Sequence, residues 1–263
     1  MCTVVLLRRP DHPWPILLAA NRDEMMKRPW KPPARHWPDR ANVVAGIDLE
    51  AGGSWLGAND AGVVAAILNR PNALGPAPNK RSRGELVLEA LDSVAAADVI
   101  DRFRALDGEA WKPFNMVIAD RTNAYWLRNR GSEAAWRIEA FPIAEGLSMI
   151  TARELNDTGS NRIRRYLERF RTASTPDPDR GEWKNWQNIL GDRERDDDGA
   201  PDSSMNICTD FGFGTVSSSL IAVPAAQNPR PTIWLFSPGQ PDLCDYEPVS
   251  AIATPAAPLK VAG

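Results

Sequence analysis

A chain of 263 residues with 43% apolar and 25% charged side chains can bury a sizeable core, which argues against global disorder and for one domain spanning residues 1–263. The formal net charge of −3, with Lys and Arg scattered along the chain, leaves no electrostatic footprint for nucleic acid or anionic lipid. No run approaches the roughly 18 apolar residues that span a bilayer, so no membrane span is expected.

Arg8 and Arg9 follow the first short apolar run, the reverse of the order in a secretory signal. Cys2, Cys208 and Cys244 are odd in number and far apart, which favours free thiols in a reducing cytoplasm over a disulfide framework. His12 and His36 are too few and too far apart to build a zinc site, and no metal or cofactor is expected.

In chain order, the apolar runs 3–7 and 16–20 flank a Pro-containing turn and read as a hairpin, the second strand ending where Asn21, Arg22, Asp23 and Glu24 begin. Pro29, Pro32, Pro33 and Pro38 then predict a long loop carrying Trp30 and Trp37. Runs 53–58 and 62–68 form a second hairpin, its second strand apolar enough to be fully buried. Ser82 with Glu85 three residues on has the form of a capping box, so a helix is expected there, followed by another over 93–106. Strands return at 114–119, 124–128, 135–140 and 147–151. Two further helices follow, one capped by Ser160 and one around Trp183, Trp186 and Leu190, and strands at 214–223 and 232–236 close the order. This is not the strict β–α alternation of a parallel doubly wound sheet; two packed sheets covered by helices fit it better. The charged stretch 192–204 lacks the spacing of an EF-hand and reads as a solvated loop.

The residue with most chemical promise is Cys2. Removal of Met1 would put the thiol on the first residue, where an α-amine of ordinary pKa about 7.7–8.0 can act as base without any histidine. The plain alternative is a small apolar residue starting a strand. Asp23 could hold the terminal ammonium, and Arg22 could stabilise the Cys2 thiolate or anchor an anionic group, lowering the thiol pKa. Asn69, at the end of a buried strand, could donate to an oxyanion. Asn21, Trp30 and Trp55 lie in segments close to these residues and could line a substrate pocket, with the indoles as apolar walls. The Gly-rich pairs at 52–53 and 212–214 are not placed as phosphate loops.

Met1-Cys2, Asn-Arg-Asp-Glu at 21–24, Gly-x-Trp-Leu-Gly at 53–57 and Asn69-Arg70-Pro71, continuing through Phe114-Asn115 and Gly214-Thr215, resemble the NRDE family, also called the transport-and-Golgi-organisation 2 family. That family is similar to N-terminal nucleophile (Ntn) hydrolases of the choloylglycine hydrolase and penicillin V acylase branch. The resemblance implies an α+β fold, a four-layer αββα sandwich of two mostly antiparallel sheets. It also implies that Cys2 is the nucleophile, that Asp23 contacts it and that Asn69 helps form an oxyanion hole. Where the hydrolases carry two arginines, this chain has Ala20 and Val216. The function expected is hydrolysis or acyl transfer on a non-peptide amide or activated acyl group. The alternative is a catalytically silent binding or trafficking protein for haem or an acylated lipid. Either way the expected partner is a small-molecule amide, acyl or haem-like ligand, with no nucleic acid; the sequence does not fix an oligomeric state.

Overall fold

The computed structural model describes residues 2–252 apart from 72, 74, 76, 77, 197–199 and 229. Thirteen strands form two antiparallel sheets among the described residues. One runs β10 (Gly146–Ile150), β1 (Thr3–Arg8), β2 (Ile16–Met25), β11 (Phe213–Val223), β12 (Ile233–Ser237) and β13 (Glu247–Pro248). The other keeps chain order: β3 (Trp30–Ala34), β4 (Val43–Asp48), β5 (Leu56–Asn59), β6 (Val64–Asn69), β7 (Phe114–Ala119), β8 (Ala124–Asn129) and β9 (Ile138–Pro142).

Strand alternation divides the apolar residues into three cores. Val4, Leu6, Leu18 and Ile221 of the first sheet meet Val64, Ala66, Leu68 and Val117 of the second. The outer face of the second sheet packs on α1 (Gly84–Leu91) and α2 (Ala96–Arg104) through Leu86, Leu91, Val99 and Phe103. The outer face of the first packs on α3 (Asn161–Thr172) and α4 (Lys184–Leu190) through Ile163, Tyr166, Phe170 and Trp186. The result is the expected four-layer αββα sandwich.

Three local expectations need correction. Strand β2 does not end at Ala20: it continues through Asn21, Arg22, Asp23 and Glu24 to Met25, paired with β11 along its whole length. A polar run can stay in a strand when its buried side chains find partners, as Asn21, Arg22 and Asp23 do with the Leu190 carbonyl, Asp48 and Arg162, while Glu24 is half-buried. The Pro-rich segment at 30–34 is not a loop but the edge strand β3, whose register on β4 shifts between Lys31 and Ala34, where Pro32 and Pro33 sit. An edge tolerates the missing amides. The strand β4 was not expected at all. At α1 there is no capping box: Ser82 Oγ accepts from Gly84 N at 3.3 Å, and Glu85 pairs with Arg81 instead of reaching back.

Candidate functional site

Strand β1 pairs Thr3 with Asn21, so Cys2 lies beside Arg22 at the end of the first sheet. Alternation along β2 then gives its polar residues different destinations. Asn21 and Asp23 point toward α3 and α4, while Arg22 points to the side of the sheet that bears Cys2, Ala20 and Val4.

On the helix side, the Asp23 carboxylate is fully buried and held by two side chains. Arg162 Nη1 donates to Oδ2 at 2.8 Å, and Thr215 Oγ1 donates to Oδ1 at 2.7 Å. Arg162, 2% exposed, also donates from Nη1 to Thr3 Oγ1 at 2.6 Å and from Nε to the Ser204 carbonyl at 2.8 Å. Thr215 faces Asp23 across the β2–β11 ladder, next to a bulge at Val216 that resets the register. Burial pushes the carboxyl up, but the terminal ammonium, Arg162 and the Thr215 hydroxyl hold it below the usual carboxylate range. Asp23 is therefore an anion at neutral pH beneath the strand end. Asn21 does not face a substrate space: its Nδ2 donates to the carbonyls of Leu190 and Met205 at 2.9 and 3.0 Å. It ties β2 to the helical layer.

On the other side lies a cleft of about 600 Å³ lined by Cys2, Arg22, Trp55, Asn69 and Arg83, among others. Cys2 Sγ donates to the Asp23 carbonyl oxygen at 3.6 Å. Burial and the Asp23 charge raise the thiol pKa; the terminal ammonium, the bond to the Asp23 carbonyl and Arg22 lower it by less. In the chain that carries Met1, desolvation thus outweighs the neighbouring positive charges and Cys2 rests as a thiol.

Arg22, 5% exposed, lies with its guanidinium carbon 4.0 Å from the Trp55 ring centre and donates from Nη2 to Asp48 Oδ2 at 3.2 Å. Asp48 also takes two bonds from Arg28, at 2.6 and 3.1 Å. Trp55 fits here because Gly46 on β4 has no side chain; a Cβ would stand 2.3 Å from the indole. Trp30 packs edge-on behind Trp55, ring centres 5.8 Å apart, and does not itself line the cleft. Gly53 and Gly84 touch so closely that a Cβ on Gly53 would lie 2.5 Å from the Gly84 carbonyl carbon, and this brings the start of α1, with Arg83, to the cleft wall.

Of the residues singled out in the sequence, Cys2, Arg22, Trp55 and Asn69 share the cleft, and Asp23, Asn21 and Trp30 stand behind it. Arg162, Thr215 and Arg83 were missed. For Arg162 a signal existed, because it falls four residues before Tyr166 and eight before Phe170, on the apolar stripe of α3. A charge at that position needs a buried counter-ion. Among the described residues no group of His, Cys, Asp and Glu could hold a metal, and no helix is long and apolar enough to cross a membrane.

The Transport and Golgi organisation 2 family matches residues 1–229. The chain belongs to this family. It is 36% identical over 110 residues to the Transport and Golgi organization 2 homolog of Mus musculus and 34% identical over 114 residues to the homolog of Homo sapiens. The mouse alignment covers 40% of this chain and 38% of that protein, so the chain matches about two fifths of its curated relatives' length. Among solved structures it is similar to a mutant conjugated bile acid hydrolase from Clostridium perfringens, with a TM-score of 0.53 at 11% identity, covering 97% of this chain and 96% of that one. It is also similar to a Caenorhabditis elegans N-acylethanolamine-hydrolyzing acid amidase ortholog, with a TM-score of 0.52 at 13% identity, covering 84% and 92%. The shared feature is the fold, that of Ntn hydrolases.

Proposed function

We propose that this family member is an Ntn-type hydrolase or acyltransferase that acts on a small non-peptide amide or activated acyl group through Cys2, exposed as the first residue once Met1 is removed. The observation that carries the reading is the placement of Cys2: it lines a cleft of about 600 Å³ while the strand end that holds it is fixed from behind by the buried Asp23–Arg162–Thr215 cluster. The similar fold of an amidase and a bile acid hydrolase supports it.

A thiol whose pKa is raised needs a base at the moment of attack. The α-amine of a first-residue cysteine supplies one, with an ordinary pKa of about 7.7–8.0. The amine takes the thiol proton, sulfur adds to the acyl carbon, and the same proton passes to the leaving amine as the carbon–nitrogen bond breaks. Water or another nucleophile then cleaves the thioester. Asp23, ionised behind Cys2, favours the ammonium form and keeps the amine in place, and Asn69 donates to the oxyanion.

A second reading, a binding protein for an acylated lipid or haem-like ligand that has lost turnover, is favoured by one observation: Arg22 is already engaged by Asp48 and Trp55 and is not poised over a reacting atom. Assaying wild type and Cys2→Ala against a panel of short acyl amides and thioesters separates the two. Turnover that disappears in Cys2→Ala supports the enzyme; ligand binding that survives in Cys2→Ala, with no turnover in wild type, supports the carrier.

A further inference from the structure

Along the cleft wall, basic side chains outnumber carboxylates six to three. Most have partners. Arg28 is paired with Asp48 and Glu50, and Arg81 with Glu85 and Glu89. Arg83 differs from them. Its guanidinium is anchored through Nη1 to two main-chain carbonyls, those of Ala73 and Pro113, each at 3.1 Å, and no carboxylate among the described residues pairs with it. Main-chain carbonyls orient a guanidinium without neutralising it. Burial depresses its pKa, yet arginine stays charged at any physiological pH. Arg22 adds a second donor: its Nη1 is buried and has no acceptor, although Nη2 is bonded to Asp48. A buried cationic donor left without an acceptor is costly unless a ligand supplies one.

We infer that Arg83, with Arg22, forms an anion-binding subsite next to Cys2, so that the ligand of this cleft carries a carboxylate or phosphate on the part held at the α1 end, and Arg83 selects for it. Two guanidiniums on the wall of one cleft, Arg22 from strand β2 with an indole face against it and Arg83 from the start of α1 held by carbonyls, offer donors suited to a planar or tetrahedral oxyanion over a neutral amide. This assigns a substrate class to the same cleft and rests on its reading as the substrate site, but it does not require turnover.

The test uses the Cys2 thiol as reporter. Iodoacetate and iodoacetamide alkylate the same sulfur with loss of iodide and of the thiol proton, and differ in one charge. In the full-length protein the ratio of their rates at Cys2, read by peptide mass mapping, should exceed the ratio for an uncharged small-molecule thiol in the same solution by about tenfold, the scale of one added charge-assisted contact. Arg83→Gln should remove that excess in the rate ratio, Arg83→Lys should keep part of it, and Arg81→Gln should keep all of it. Inorganic phosphate and acetate as competitors distinguish the two anions, since the preferred one slows Cys2 labelling in wild type and not in Arg83→Gln. Equal ratios at wild-type Cys2 and at the small-molecule thiol, a comparison that needs no variant to fold, would overturn the inference; so would an excess that persists in Arg83→Gln. The proposed catalysis can fail while this result stands, and the reverse.

Discussion

The two faces of strand β2 solve opposite problems with similar residues. On the helix side, Asp23 and Arg162 are both buried and neutralise each other at 2.8 Å, with Thr215, Thr3 and the Ser204 carbonyl filling further bonds. On the cleft side, Arg22 is also buried and Arg83 half-buried, both incompletely matched, and the thiol between the sheets has its pKa raised. The closed side holds the strand end in place; the open side leaves donors and a nucleophile for something that is not the protein. A satisfied charge pair contributes rigidity, and an unsatisfied one contributes a site.

The largest effect that would break this comparison lies on the closed side. Asp23→Ala leaves Arg162 as a buried charge without its carboxylate and should cost about 3–5 kcal/mol, read as a lower urea midpoint. Arg162→Met alone should cost a similar amount, and the Asp23→Ala/Arg162→Met double variant less than the sum of the singles. Purely additive losses would show that the two residues do not act as a pair.

The legibility of the site followed the same division. The element order and the run 114–119 revealed the antiparallel sandwich, because apolar alternation is a property of neighbouring residues. That Asn21 and Asp23 would turn away from the cleft was hidden, since the polar run looked like a strand end and its partner strand β11 lies nearly two hundred residues away in sequence. Arg162 and Thr215 come from the same distant segments. The edge strand β3 was unreadable because Pro normally argues against strands, and only its position at the rim makes it permissible.

Next in size is the pH dependence of the closed side. The folded pKa of Asp23 is depressed, so its contribution to stability is fully present above the unfolded value of about 3.9 and is lost as pH falls through the lower folded value. The stability gap between wild type and Asp23→Asn, measured by urea titration, should therefore be constant from pH 7 to about 5 and shrink in more acid solution. A gap that persists unchanged at the acid end would contradict an ionised Asp23.

The open side predicts the opposite direction for Cys2. Its raised pKa means that, in the chain with Met1 retained, iodoacetamide at neutral pH should label the exposed Cys208 first, and Cys2 should catch up only above the ordinary thiol value of about 8.5. Rapid labelling of Cys2 at pH 7 would show that Arg22 dominates after all. The smallest effect concerns Trp55. Trp55→Leu keeps an apolar wall but removes the ring face under Arg22, and should lower stability by about 1 kcal/mol.

The central claim is that Cys2, as first residue, carries the acyl group. Intact-mass measurement of protein purified from cells, before and after a brief exposure to p-nitrophenyl acetate and acid quenching, tests it most directly. The account expects loss of Met1, then a single acetyl group on Cys2 that disappears with time and is absent in Cys2→Ala. Retained Met1, or acetyl found only on Cys208 or Cys244, would contradict it.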